Sequence, residues 1–232
     1  MEFHYQKPIS TALKSSLRKI NRGVYRIYGA PTASISTELT LNGRPVIFLH
    51  NPKAAGTSLR KLLGVHKQSH VYPREKLSER YWLNCFSIAA VRHPFDRFIS
   101  GYFYHVLGPY MGGLVKAYGP MVKDLDPFQY LALIEHENGY IPAQTNWTHF
   151  PSVTKPRVDL LLRVEEADKW MEQFKNAGLD MTGRRMHHEN QSDHATDTRR
   201  ERLNLSVAEF SRLRDEVFES YKNDYEIFGY DK

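Results

Sequence analysis

The stretch from Val46 to Leu63, VIFLHNPKAAGTSLRKLL, constrains the fold more than any other part of the chain. Val46-Ile47-Phe48-Leu49 is an apolar run that predicts a buried strand. Pro52-Lys53-Ala54-Ala55-Gly56-Thr57-Ser58 then turns the chain, and Leu59, Leu62 and Leu63 recur at helical spacing. A strand that breaks at a small-residue turn and opens directly into a helix presents unpaired amides, and the positive end of the helix dipole, to an anion such as phosphate. Lys53 adds a mobile positive charge, and the amides from Ala55 through Gly56 to Ser58, with the hydroxyls of Thr57 and Ser58, can donate to phosphate oxygens. The nucleoside-triphosphate loop, G-x-x-x-x-G-K-[ST], places its lysine directly after the second glycine. Here Lys53 precedes Gly56, the one glycine of the loop, so the order is different.

A second junction of the same kind follows. Phe86 to Val91, FSIAAV, predicts another buried strand, and it ends in Arg92-His93-Pro94-Phe95-Asp96-Arg97-Phe98-Ile99-Ser100-Gly101-Tyr102. Pro94 suits the first turn of a helix. Phe95, Phe98, Ile99, Tyr102, Phe103 and Val106 mark one apolar face of it, leaving Asp96, Arg97, Ser100 and Tyr104 for other faces. Arg92 thus stands at the C-terminal end of a strand, with Ser100 about two turns into the next helix. A guanidinium and a hydroxyl so placed make a clamp for a second, separate phosphate.

The order P-K-x-x-G-T-S resembles the 5′-phosphosulfate loop of sulfotransferases, whose donor is 3′-phosphoadenosine 5′-phosphosulfate (PAPS). R-x-P-x-x-R-x-x-S-x-Y resembles the 3′-phosphate motif of the same enzymes. Pro142-Ala143-Gln144-Thr145, Val158 to Glu165 and the closing Tyr221 to Tyr230 continue the likeness. Together they resemble sulfotransferase family 2, which includes the Golgi carbohydrate sulfotransferases and heparan sulfate 2-O-sulfotransferase. Two departures stand out: Asn51, where the family has an aliphatic residue, and His93, where it has Asp or Asn.

The resemblance implies an α/β fold, a P-loop-type three-layer sandwich with a central parallel sheet flanked by helices. It implies transfer of a sulfuryl group to a hydroxyl, on a carbohydrate or another alcohol, with PAPS as co-substrate and no metal. Lys53 would act at the bridging and leaving phosphate oxygens. Ala55, Gly56, Thr57 and Ser58 would hold the 5′-phosphate, and Arg92 and Ser100 the 3′-phosphate. A histidine suits the base near neutral pH. His70, between the two motifs, is the first choice, because relatives carry a histidine in the corresponding stretch. His66 and His105 compete.

Length and composition bound the rest. The chain has 232 residues, enough for one domain with a full-sized core, and we divide it into an N-terminal arm at 1–40 packed on a single domain at 41–232. Its one cysteine, Cys85, precludes an internal disulfide. No apolar run is long enough to span a bilayer and the N-terminus lacks a secretory leader, so the expected setting is cytoplasmic. The triplets at Asn146, Asn190 and Asn204 would then be chance matches to a glycosylation signal. A net charge of +6 raises nucleic acid as a partner. It is not gathered into a basic run, however, and a polyanionic donor explains it without nucleic acid. Leu13, Leu17, Ile20 and Val24 form a stripe on a basic amphipathic helix, which is expected to pack on the domain or touch an anionic membrane.

Along the rest of the chain, Asp126-Pro127 predicts a helix start, Val158 to Val164 a strand, and Glu166 to Ala177 a helix stopped by Gly178. Ser206 to Glu209 reads as a capping box for a helix whose inner stripe is Phe210, Leu213, Val217 and Tyr221. Residues 108–126 and 183–202 read as loops, the first either a mobile lid or a plain surface connection. Asn190-Gln191-Ser192 weakly resembles a family element, and His187, His188 and His194 lack the partners of a metal site. Two other functions compete with sulfuryl transfer: a P-loop nucleotide kinase, and a noncatalytic module that binds glycan or nucleic acid.

Overall fold

Asn42-Gly43 turns strand β1 (Ser36–Leu41) back onto β2 (Arg44–Leu49), with both turn residues in the left-handed region at φ 50 and 76. Asn-Gly adopts that geometry readily, and its twist matches that of the paired strands. The sequence reading places no strand before Val46, so β1 is an addition, and it takes in residues 36–40, which that reading assigned to the arm. β3 (Phe86–Val91) and β4 (Leu160–Arg163) complete a sheet of order β1-β2-β3-β4. β1 is antiparallel to β2, and the other pairings are parallel, with Val46 opposite Phe86 and Ile88 opposite Leu160.

This computed structural model describes residues 36–66, 72–109, 111, 114–136, 141–149, 156–186 and 196–232. The stripe in residues 1–35, His70, the three histidines at 187, 188 and 194, and Asn190-Gln191-Ser192 lie outside them.

Strand side chains alternate between two covered faces. Val46, Phe48, Ile88, Ala90 and Leu162 pack against α1 (Gly56–Leu62), through Leu59 and Leu62, and against Trp170 and Phe174 of α8 (Trp170–Asn176). Ile47, Leu49 and Ala89 point the other way, onto Leu77 and Trp82, the latter on α3 (Glu79–Asn84). A short α2 (Pro73–Lys76) precedes it. The result is the expected α/β three-layer sandwich, with one antiparallel edge strand.

A further apolar cluster gathers the helices that follow β3. Phe95, Phe98, Ile99 and Tyr102 of α4 (Pro94–Tyr102) meet Leu114 of α5 (Leu114–Tyr118), Tyr130 of α6 (Pro127–His136), and Phe210, Leu213 and Val217 of α10 (Val207–Ser220). Ser206 and Glu209 make the capping box at the start of α10, and the Asp126 carboxylate accepts from the amides of Phe128 and Gln129. The strand expected at 158–164 is shorter, and residues 164–169 form a 3₁₀ turn before α8.

Within 108–126 the described residues include helical turns at Leu114–Tyr118 and Pro120–Asp124. Leu114, Val115 and Val122 are buried, and Lys123 Nζ donates to the carbonyls of His105 and Gly108, which fastens the segment to the end of α4. Apolar residues among the glycines give the segment a core face, and that outweighs its loop-like composition. Within 183–202, α9 (Thr196–Arg202) also departs from the loop reading, and its Arg199 is buried against Asp96. Among the described residues no helix is long and apolar enough to cross a membrane.

Candidate functional site

The loop after β2 is built on two left-handed residues, Lys53 at φ 64 and Ala55 at φ 52. Both are non-glycine, so the conformation costs energy that its surroundings supply. Gly56 does not relieve that strain; it makes room. A methyl there would stand 1.9 Å from Nε2 of His50, a buried ring stacked on Phe48. The first amide of α1 bonded within the helix is that of Leu59, to the Ala55 carbonyl at 3.1 Å. The amides before it are directed out of the helix start, as the sequence predicts. Ser58 is buried and Thr57 half-buried.

Lys53 is the cation of this turn. Desolvation, followed by the charges of Arg92 and Arg97, pushes its pKa down to about 8. Its Nζ lies 4.0 Å from the centre of the Tyr104 ring. Burial and two neighbouring positive charges all disfavour its ammonium form, and a bound anion would offset them.

Arg97 is the residue the sequence reading missed. The sequence places it off the apolar face of α4 and gives it no role, yet it is only 1% exposed. Nε donates to the Pro52 carbonyl at 2.9 Å, and Nη1 to the Pro142 carbonyl at 2.8 Å. The helix carrying it is covered on two sides. Its apolar stripe meets the helical cluster, and the opposite face, with Arg97 and Tyr104, meets the loop after β2. Ser100 follows Arg97 by three residues and precedes Tyr104 by four, which puts it on that same face. The second arginine of R-x-P-x-x-R was the signal that could have found Arg97.

Arg92 is also buried, with its pKa lowered, mainly by desolvation and against the opposing pull of Asp96 and Glu165. Among the described residues, Arg92 Nε and Arg97 Nη2 have no hydrogen-bond partner. Buried guanidinium N–H groups without acceptors are costly, and a ligand oxygen would satisfy them. Glu165 accepts from the His93 amide at 2.7 Å and from the Tyr230 hydroxyl at 3.1 Å, holding the chain terminus beside Arg92.

Asn51 and Gln144 tie the two junctions together. Asn51 Nδ2 donates to the Ala90 carbonyl and to Gln144 Oε1, both at 2.9 Å. That gives a purpose to the polar residue that departs from the family pattern. The other departure, His93, places its ring Nε2 3.0 Å from the Asp231 carbonyl and packs edge-on against Tyr225 and Tyr230.

The competing histidines separate. His66 lies beyond the C-terminal end of α1, opposite the loop, largely exposed and 3.3 Å from Glu38. His105 sits where α4 continues as a π turn (Phe103–Leu107), an irregularity frequent at functional sites. Its Nδ1 is 2.7 Å from the buried Tyr130 hydroxyl, and desolvation, with the charges of Lys53 and Lys123, pushes its pKa down to about 4. His105 is therefore a neutral imidazole near pH 7 and a weak base.

The structure thus brings Lys53 together with Arg92, Arg97 and the face of α4 that carries Ser100, beside the amides that open α1. Residues 42–139 match the model of the sulfotransferase family. No curated protein and no solved structure matches the chain. The matched residues run from the hairpin turn through both strand-to-helix junctions, and in that segment the chain is similar to the sulfotransferase family.

Proposed function

We propose that the protein transfers the sulfuryl group of PAPS to an acceptor hydroxyl on a carbohydrate. The observation that carries this reading is Lys53: a half-buried lysine on a strained turn, beside helix-start amides and two buried arginines, with its pKa lowered to about 8. Such a group is unstable without an anion and well placed to meet one.

In the reaction the bond between sulfur and the bridging oxygen of the 5′-phosphate breaks. A new bond forms between sulfur and the acceptor oxygen, and the acceptor proton passes to a base. Negative charge grows on the departing phosphate, where Lys53 and the amides of Ala55 to Ser58 stabilise it. Arg92 and Ser100 hold the 3′-phosphate, which separates this donor from ATP. The base is His70, two residues before Tyr72. His66 lies at the wrong end of α1, and His105 is too weakly basic.

Calorimetric titration with adenosine 3′,5′-bisphosphate and with ATP–magnesium tests this reading. The wild type should prefer the bisphosphate without metal, and Arg92→Ala should lose that preference. A preference for ATP, or no binding of either, would refute the reading.

A further inference from the structure

We infer that Gln144 is a positioning residue that sets the orientation of Arg92 toward the 3′-phosphate, an inference that rests on the donor reading above. Gln144 is fully buried, and its carboxamide pairs with the main chain of Arg92 as a neighbouring strand would. Oε1 accepts from the Arg92 amide at 2.9 Å, and Nε2 donates to the Arg92 carbonyl at 2.8 Å. Oε1 also accepts from Asn51 Nδ2 at 2.9 Å. Two donors converge on one end of the carboxamide and a carbonyl faces the other, so the amide has a single self-consistent orientation.

The location gives this pairing its consequence. The parallel ladder between β2 and β3 ends at Leu49 and Ala89, and that between β3 and β4 at Val91 and Arg163. Beyond those points the strands part, and the main chain of Arg92 would be buried without partners. Gln144 supplies them. The segment that carries it is held from both sides, since Pro142 O accepts from Arg97 and the Gln144 amide donates to the Asp224 carboxylate at 2.8 Å. Arg97 bonds Pro52 and Asn51 bonds Gln144, so residues 142–144 connect the lysine loop to Arg92. The spacing of the two phosphate clamps is therefore defined by a segment that touches neither phosphate.

A positioning role differs from a merely structural one in what it moves. Loss of the carboxamide frees the Arg92 main chain and leaves the lysine loop in place. It should weaken capture of the 3′-phosphate and spare that of the 5′-phosphate. The experiment measures Kd for adenosine 3′,5′-bisphosphate and for adenosine 5′-monophosphate, with Tm, in the wild type, Gln144→Met and Asn51→Ala. In Gln144→Met the preference for the bisphosphate should fall about tenfold, as for loss of one to two buried hydrogen bonds, while monophosphate binding stays within about twofold. If that variant does not fold, Asn51→Ala decides, because it removes one hydrogen bond to the same carboxamide; its expected fall is about threefold. An unchanged preference in the folded variant, or equal weakening of both ligands, would overturn the inference. A wild type with no preference would instead overturn the donor reading itself.

Discussion

Raising the pH from 7 to 9 should weaken bisphosphate binding by discharging Lys53. With its pKa at about 8, Lys53 is charged in roughly nine molecules of ten at pH 7 and in about one of ten at pH 9. If only the charged form captures the 5′-phosphate, the apparent Kd scales inversely with that fraction and rises about tenfold. The ligand does not contribute, because the second phosphate ionisation, near pH 6, is nearly complete by then. Bound phosphate favours the ammonium form, so binding near pH 8 should also take up about half a proton. Calorimetry in two buffers of different ionisation enthalpy reads both quantities, and Lys53→Met should show neither. The sign for stability follows from the same shift. Between about pH 8 and the ordinary lysine range the unfolded chain binds the extra proton, so this group's contribution to the stability of the free protein rises with pH. A Kd that is flat from pH 7 to 9, or an identical slope in Lys53→Met, would refute the argument that this lysine meets the anion.

Three other outcomes are expected. Gly56→Ala should cost about 1–3 kcal/mol of binding or stability, because its methyl collides with His50, and His50→Ala should recover most of that loss in the double variant; no recovery would place the defect elsewhere. Arg97→Met removes two hydrogen bonds made by a buried charged group, leaves the Asp224 carboxylate without that neighbouring charge, and should lower stability by about 3–5 kcal/mol near pH 7. That deficit should shrink as pH falls and Asp224 protonates; denaturant unfolding at pH 7 and pH 5 measures the difference, and equal deficits would contradict it. The proposed histidine base predicts a rise of kcat/KM near neutral pH; His105→Gln should leave it in place, since an imidazole with a pKa of about 4 does not titrate there, whereas His70→Ala should abolish it. Loss of that limb in the His105 variant alone would move the base to His105.

Much of the site could be read from local pattern, because each junction is built from consecutive residues. An apolar run, a small-residue turn and a helical stripe predict β2, its loop and α1 without reference to the rest of the chain. The same holds for β3, Arg92 and α4, and for the Ser206 capping box. The Asn42-Gly43 turn was equally local, and it places a strand in residues that the reading gave to the arm. Arg97 was not legible in this way. Helical periodicity separates an apolar face from a polar one, but it does not say whether the polar face meets water or a buried loop.

What the sequence determined by itself is the pair of strand-to-helix junctions and their chemistry, because backbone geometry and residue type at each depend on near neighbours. Tertiary structure alone decided how the junctions face each other. Lys53 acquires its lowered pKa first from burial and then from Arg92 and Arg97, about forty residues further along the chain. Gln144 meets Arg92 and Asn51 only because β2 and β3 pair side by side. Desolvation and long-range hydrogen bonds arise from packing, and no periodicity along the chain encodes them.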